Sequence, residues 1–213
     1  MKNFDENNES LQTLEDNIYD FKLNRIFANN SEGNFILFIY NNETLHRSIE
    51  TYHHTDTDEF RVQINFGFNS FCLSDFFTTD FNIFVEKLKN KLPDLLKYYS
   101  SDVNSDDELI LAKNFKSWQY GNKLPNKIND FELFIKPAMP FEITNGSFVI
   151  IDYCNFETKS DFVVYYNLYR DDYGAEFRTN GVTNVLSEFD TDDLKVLQSQ
   201  LELNLNKYLQ INN

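Results

Sequence analysis

Residues 31–42 read SEGNFILFIYNN, and residues 144–155 read TNGSFVIIDYCN. Each is a small turn with glycine, then a dense apolar run, then tyrosine and asparagine. Phe35 and Phe148 lie 113 residues apart, and carrying that offset without a gap from Gly33 to Leu96 gives fourteen identities in sixty-four positions. They include Gly33/Gly146, Tyr40/Tyr153, Asn42/Asn155, Tyr52/Tyr165, Asp58/Asp171, Leu88/Leu201 and Leu92/Leu205. The sharpest match sets LSDFFTTDF at 73–81 against LSEFDTDDL at 186–194. Upstream, YDFKL at 19–23 faces NDFEL at 129–133 at an offset of 110, which places a three-residue insertion at KPAMP, 136–140. Self-similarity at a fixed offset is the signature of a repeated structural unit.

Each half gives the same order of elements. The spacing predicts strands over 19–27 and 129–136, 34–41 and 147–154, and 46–54 and 159–169. A fourth strand alternates Phe60, Val62, Ile64 and Phe66 with Arg61, Gln63 and Asn65, and its partner alternates Tyr173, Ala175 and Phe177 with Gly174, Glu176 and Arg178. That period of two marks a sheet with one wet face. Phe81, Phe84, Leu88, Leu92 and Leu95, then Leu194, Leu197, Leu201, Leu205 and Tyr208, recur at helical spacing and give each helix one apolar stripe. Thr78 or Thr79 and Thr191 are the expected N-caps, with Asp80, Asp192 and Asp193 in the first turn, and Pro93 is expected to kink or restart its helix.

The central run FILFIY is apolar on both sides, because Phe35, Leu37 and Ile39 alternate in direction with Ile36, Phe38 and Tyr40. One helix covers one face only. The expectation is therefore an α+β fold: a tandem duplication of a four-stranded antiparallel meander followed by a helix, ββββα twice, with the two copies packed about a pseudo-twofold axis. Whether the copies meet edge to edge or face to face stays open. A competing reading leaves a face bearing Tyr40, Tyr52, Tyr153 and Tyr165 as a groove for a ligand or partner. The expected segments are an acidic N-terminal tail at 1–17, a first repeat at 18–100, a connection at 101–127 and a second repeat at 128–213. In the connection, Ser105–Glu108 forms a capping-box pattern, Leu109, Ala112 and Trp118 offer a docking face, and Gly121 is placed to end a helix.

The chain carries a net charge of −15, which disfavours direct binding of nucleic acid or anionic lipid. The excess is uneven: residues 1–17 carry −4, 18–100 carry −3, 101–127 carry none and 128–213 carry −8. Cys72 and Cys154 stand apart with no metal or redox spacing, and are expected as buried, reduced thiols. His46, His53 and His54 sit on or beside one predicted strand, and neighbouring strand residues point to opposite faces, so they suit an exposed hairpin end rather than a metal site. Neither cysteine lies in a local nucleophile pattern, and no Gly-rich phosphate loop or Gly-x-Ser-x-Gly elbow occurs. With no leader-like apolar stretch near Met1 and no long apolar run, a cytoplasmic location is expected.

These features favour a non-catalytic binding protein, without cofactor or metal, whose acidic surface takes a basic protein by steered association. An inhibitor or immunity protein that neutralises a basic, nuclease-like bacterial toxin is the most concrete form. The expected contact residues are Asp56, Asp58 and Glu59 at one hairpin and Asp171, Asp172 and Glu176 at its counterpart. The alternatives are a secretion chaperone or adaptor holding an extended peptide, and a small apolar ligand between helix and sheet.

Overall fold

The computed structural model describes residues 9–100, 115–143 and 146–210. The chain divides into two compact units, Met1–Val103 and Asn104–Asn213. The first contains α1 (Glu9–Gln12), β1 (Asn17–Ile18), β2 (Phe21–Asn29), β3 (Phe35–Asn42), β4 (Arg47–His54), β5 (Glu59–Phe66), β6 (Asn69–Cys72), a 3-10 turn at Ser74–Phe76 and α2 (Phe81–Tyr98). Its six strands form one antiparallel sheet in chain order. The second contains 3-10 turns at Phe115–Ser117 and Gly121–Lys123, then β7 (Lys127–Ile128), β8 (Phe131–Ile135), β9 (Phe141–Ile143), β10 (Ser147–Asn155), β11 (Ser160–Asn167), β12 (Asp172–Thr179), β13 (Val182–Val185), a 3-10 turn at Ser187–Phe189 and α3 (Leu194–Tyr208). Its seven-stranded sheet runs β13-β12-β11-β10-β8-β7, with β9 also paired to β10.

This corrects the expected architecture. The chain is not a four-stranded meander closed by a helix, written twice about a pseudo-twofold axis; it is two larger antiparallel sheets of six and seven strands. The strands missing from the sequence reading, β1, β6, β7, β9 and β13, are two to four residues long. Such a stretch puts at most two side chains on each face, too few to show a period of two. The seventh strand arises because Pro137 and Pro140 stand between β8 and β9, removing backbone donors where β2 of the first unit runs on as nine residues.

Local devices nevertheless recur 113 residues apart. Both central strands carry a bulge, between Ile36 and Phe38 in β3 and between Val149 and Ile151 in β10. Isolated bridges join Phe60 to Thr78 and Tyr173 to Thr191. Leu73 N–H donates to Val62 O and Leu186 N–H to Ala175 O, each at 2.9 Å. The hydroxyl of Tyr40 donates to Glu15 O and that of Tyr153 to Pro125 O, both at 2.7 Å. Tyr40 faces the opposite side of its sheet from Tyr52, so the four tyrosines do not line one groove face.

The second unit's core joins Phe148, Ile151 and Tyr153 of β10 and Phe162, Val164 and Tyr166 of β11 to Leu197, Leu201 and Leu205 of α3. Phe115, Trp118 and Leu124 complete it, so the segment before β7 is part of this core. Gly121 does not end a helix; it starts a 3-10 turn, and a Cβ there would lie 2.5 Å from the Trp118 ring. In the first unit Phe84, Leu88, Leu92 and Leu96 form the buried stripe of α2, which continues through Pro93. The caps are Asp80 and Asp193, not the threonines: Asp80 accepts from Asn82 and Ile83 N–H, and Asp193 from Lys195 N–H. Thr78 and Thr191 instead accept the N–H of the capping aspartates at 3.2 and 3.1 Å. The capping-box pattern at 105–108, with Leu109 and Ala112, lies outside the described residues.

Candidate functional site

The acids singled out in the sequence are distributed by strand alternation, which sends neighbours to opposite faces. Asp58 and Asp171 hold matching left-handed turn positions, at φ 53° and 55°. Asp58 meets His53 Nε2 at 2.9 Å, and Asp171 accepts from the Tyr166 hydroxyl at 2.8 Å. Glu59 accepts from Arg61 Nη2 at 2.7 Å and from Thr57 Oγ1 at 2.8 Å, and these bonds hold its carboxyl below the usual range. Asp56 is exposed at the first hairpin. Two of the six, Asp172 and Glu176, come together in one depression of the second unit.

That depression has a volume of about 410 Å³ and is walled by Tyr165, Gly174, Ala175, Val185 and Ile143. Its charged groups are Asp172, Glu176, Asp190 and Arg170. The β11–β12 register places Tyr165 opposite Gly174, and the bridge from Tyr173 to Thr191 carries Asp190 in beside them. Arg170 Nε donates to Asp172 Oδ1 at 3.2 Å, and Arg170 is itself braced by its N–H on Asn167 Oδ1 at 3.0 Å. Burial pushes the Tyr165 phenol up, which keeps it neutral. Depressions of about 590 Å³ beside Trp118 and beside Tyr208 are larger, but each gathers fewer acids than this one.

On the same face of the sheet as Tyr165 and Glu176 lies a buried ionic cluster. Asp161 is 1% exposed, and Arg178 Nε donates to both of its oxygens at 2.9 and 3.0 Å, with Nη2 closing a fork. Cys154 donates its thiol proton to Asp152 Oδ1 at 3.2 Å. Burial, then the neighbouring Asp152, pushes the Cys154 thiol far up. Burial also raises the Asp161 carboxyl, against the pull of Arg178, while Arg178 is lifted by its Asp161 bonds in spite of burial. Asp152, Cys154 and Asp161 offer ligand atoms within 4.8 Å of one another. A metal ion fits them poorly: Arg178 already supplies the cation at Asp161, and the thiol is held protonated where a metal needs thiolate. Arg178 balances Asp161, and Asp152 is held by the Cys154 thiol.

Sequence reasoning missed Asp152, Asp161, Arg178, Gly174 and Asp190. A signal existed for the first two: an Asp inside VIIDYC and one inside DFVVYY interrupt runs buried on both faces, and such a charge requires a partner. No protein-family model, curated protein or solved structure matches this chain. The geometry by itself offers cation capture: carboxylates around an aromatic wall, beside β13, which ends the sheet among the described residues.

Proposed function

We propose that this chain is a non-catalytic, acidic protein-binding module that captures a basic protein, its most concrete form being an inhibitor or immunity protein for a basic, nuclease-like toxin. The observation that supports this reading is the pocket of the second unit, where Asp172, Glu176 and Asp190 converge within the part of the chain that carries −8. A chain of net charge −15 attracts a basic partner over roughly a Debye length of 8 Å and beyond at low salt. The cationic clefts with which nucleases hold phosphate are complementary in charge.

The test is capture on the immobilised full chain across a salt series, with the captured protein then titrated calorimetrically. A basic partner is expected, bound more weakly as salt rises, and lost when Asp172, Glu176 and Asp190 are all changed to Lys in a variant whose circular dichroism is unchanged. A neutral or acidic partner, or one indifferent to both salt and the triple change, overturns the reading. The second reading, an adaptor for an extended peptide, is favoured by β13: all four of its residues are exposed and it ends the sheet among the described residues.

A further inference from the structure

The first unit shows what the pocket of the second would hold. There the β4–β5 register places Arg61 opposite Tyr52, as β11–β12 places Gly174 opposite Tyr165. The Arg61 guanidinium donates to Glu59 through Nη2 at 2.7 Å and Nε at 3.2 Å, and lies 4.8 Å from the centroid of the Phe77 ring. Moving on by 113 residues, Glu59, Arg61, Gln63 and Phe77 become Asp172, Gly174, Glu176 and Asp190. All four counterparts line the 410 Å³ pocket. One unit thus supplies its own guanidinium between a carboxylate and an aromatic ring. The other has no side chain at that position and carboxylates where the first has an amide and a phenyl group.

Among the described residues neither Glu176 nor Asp190 makes an ion pair. The ion pair that Asp172 makes among the described residues comes from the rim, from an Arg170 side chain that is 72% exposed. From this we infer that the pocket receives an arginine side chain from a protein partner, an inference that rests on the basic-partner reading above. Arginine suits it better than lysine, because a planar fork of donors spans two carboxylates while stacking on Tyr165.

The partner's backbone has a place to lie. Val185 lines the pocket and also ends β13. The Asn180–Gly181 turn, at φ 50° and 79°, is a two-residue hairpin, and Leu186 N–H bonds Ala175 O. Antiparallel alternation then directs the N–H groups of Val182 and Asn184 inward to β12 and those of Thr183 and Val185 outward. An extended segment can pair with that outer edge and lower its arginine beside Val185. A second copy of this chain is a poor occupant, since two chains of −15 repel.

The probe is the peptide acetyl-Val-Thr-Arg-Thr-Val-amide, titrated by NMR into the full chain, alongside its citrulline and lysine analogues and arginine amide alone. The citrulline peptide, which keeps the shape and loses the charge, is expected to bind about tenfold or more weakly. Gly174→Arg, which reproduces the first unit's arrangement, should close the site to all of them. Its Cβ would meet Asp190 Oδ1 at an ordinary 3.4 Å. Thr183→Pro, which deletes an outward donor and leaves the inner ladder, should weaken the peptide but not arginine amide. Should Gly174→Arg misfold, Glu176→Gln with Asp190→Asn makes the same test of the pocket. Equal binding of the arginine and citrulline peptides overturns the inference, as does arginine amide binding as well as the peptide. Self-association abolished by Gly174→Arg would assign the pocket to a second copy and overturn the partner. If a basic protein binds with steep salt dependence while these changes leave it untouched, the functional reading stands and this inference falls. If neither protein nor peptide binds, both fall.

Discussion

The two units put opposite chemistry on the same strand register. On the face away from α2, Gln63 Nε2 donates to Asn65 Oδ1 at 2.9 Å and Asn65 Nδ2 to Ser48 Oγ at 3.0 Å, a neutral chain across β4 and β5. The positions 113 residues on are Glu176, Arg178 and Asp161, where the same strand pair carries a buried salt bridge. Alternation fixes which residues reach this face, and the helix side admits little change because its side chains fill the core. The polar side is free to vary. The neutral version asks little of its surroundings, whereas the charged one makes folding depend on a pair that must not be broken.

That contrast yields the largest expected effect. Arg178→Met leaves Asp161, 1% exposed, without its cation, and should cost about 3–5 kcal/mol in urea unfolding. Asn65→Ala removes a neutral link and should cost about 1 kcal/mol. Hydrogen exchange should localise the first loss to β10–β12 and the second to β4–β5. Transplanting the neutral set, Asp152→Ile, Asp161→Ser and Arg178→Asn, which are the residues at positions 39, 48 and 65, should recover most of what Arg178→Met loses. Equal losses at the two sites, or no recovery, break the comparison.

The helices and the long central strands were legible because each repeats a pattern over several turns or pairs: Leu88 and Leu92, like Leu201 and Leu205, stay on one face wherever the helix starts. The short strands were not, since Val182–Val185 or Asn69–Cys72 is decided by the turn before it and the neighbour beside it rather than by its own composition. The caps were misassigned by one or two residues because Thr78 and Asp80 both offer an oxygen, and only the backbone angles choose between them. Of the candidate site, the acids of the second hairpin were visible as charge. The pocket was not, because it is made by a glycine and needs the first unit's Arg61 beside it to be recognised.

A smaller effect tests where the units agree. Tyr40 and Tyr153 both bury a hydroxyl on a backbone carbonyl, and burial raises both phenols, that of Tyr40 to about 12. A raised pKa means the folded state favours the protonated phenol. The stabilisation is therefore complete below about pH 10, the ordinary tyrosine value, and is lost as pH rises through about 12. Melts taken between these limits should show stability falling with pH, and Tyr40→Phe should flatten the fall in the first unit. The same change should cost about 1–2 kcal/mol at neutral pH, because Glu15 O loses its donor. Tyr153→Phe should do likewise in the second unit; a loss in only one of them would show that the shared geometry is not shared energetically.

The smallest effect separates the helix starts. Asp80 accepts two backbone N–H bonds, from Asn82 at 2.8 Å and Ile83 at 3.2 Å, whereas Asp193 accepts one, from Lys195 at 2.7 Å. Both carboxylates also face the positive end of a helix dipole, so the difference lies in the number of donors satisfied. Asp80→Ala should cost about 1 kcal/mol and Asp193→Ala about half of that, read from urea midpoints at constant slope. Asp80→Asn, which keeps the acceptor and drops the charge, should retain most of the stability, and raising salt should narrow the gap between Asp and Asn but not between Asn and Ala. If Asp193→Ala proves the costlier, donor count does not rank these caps, and the charge already crowded into the second unit is the term to examine next.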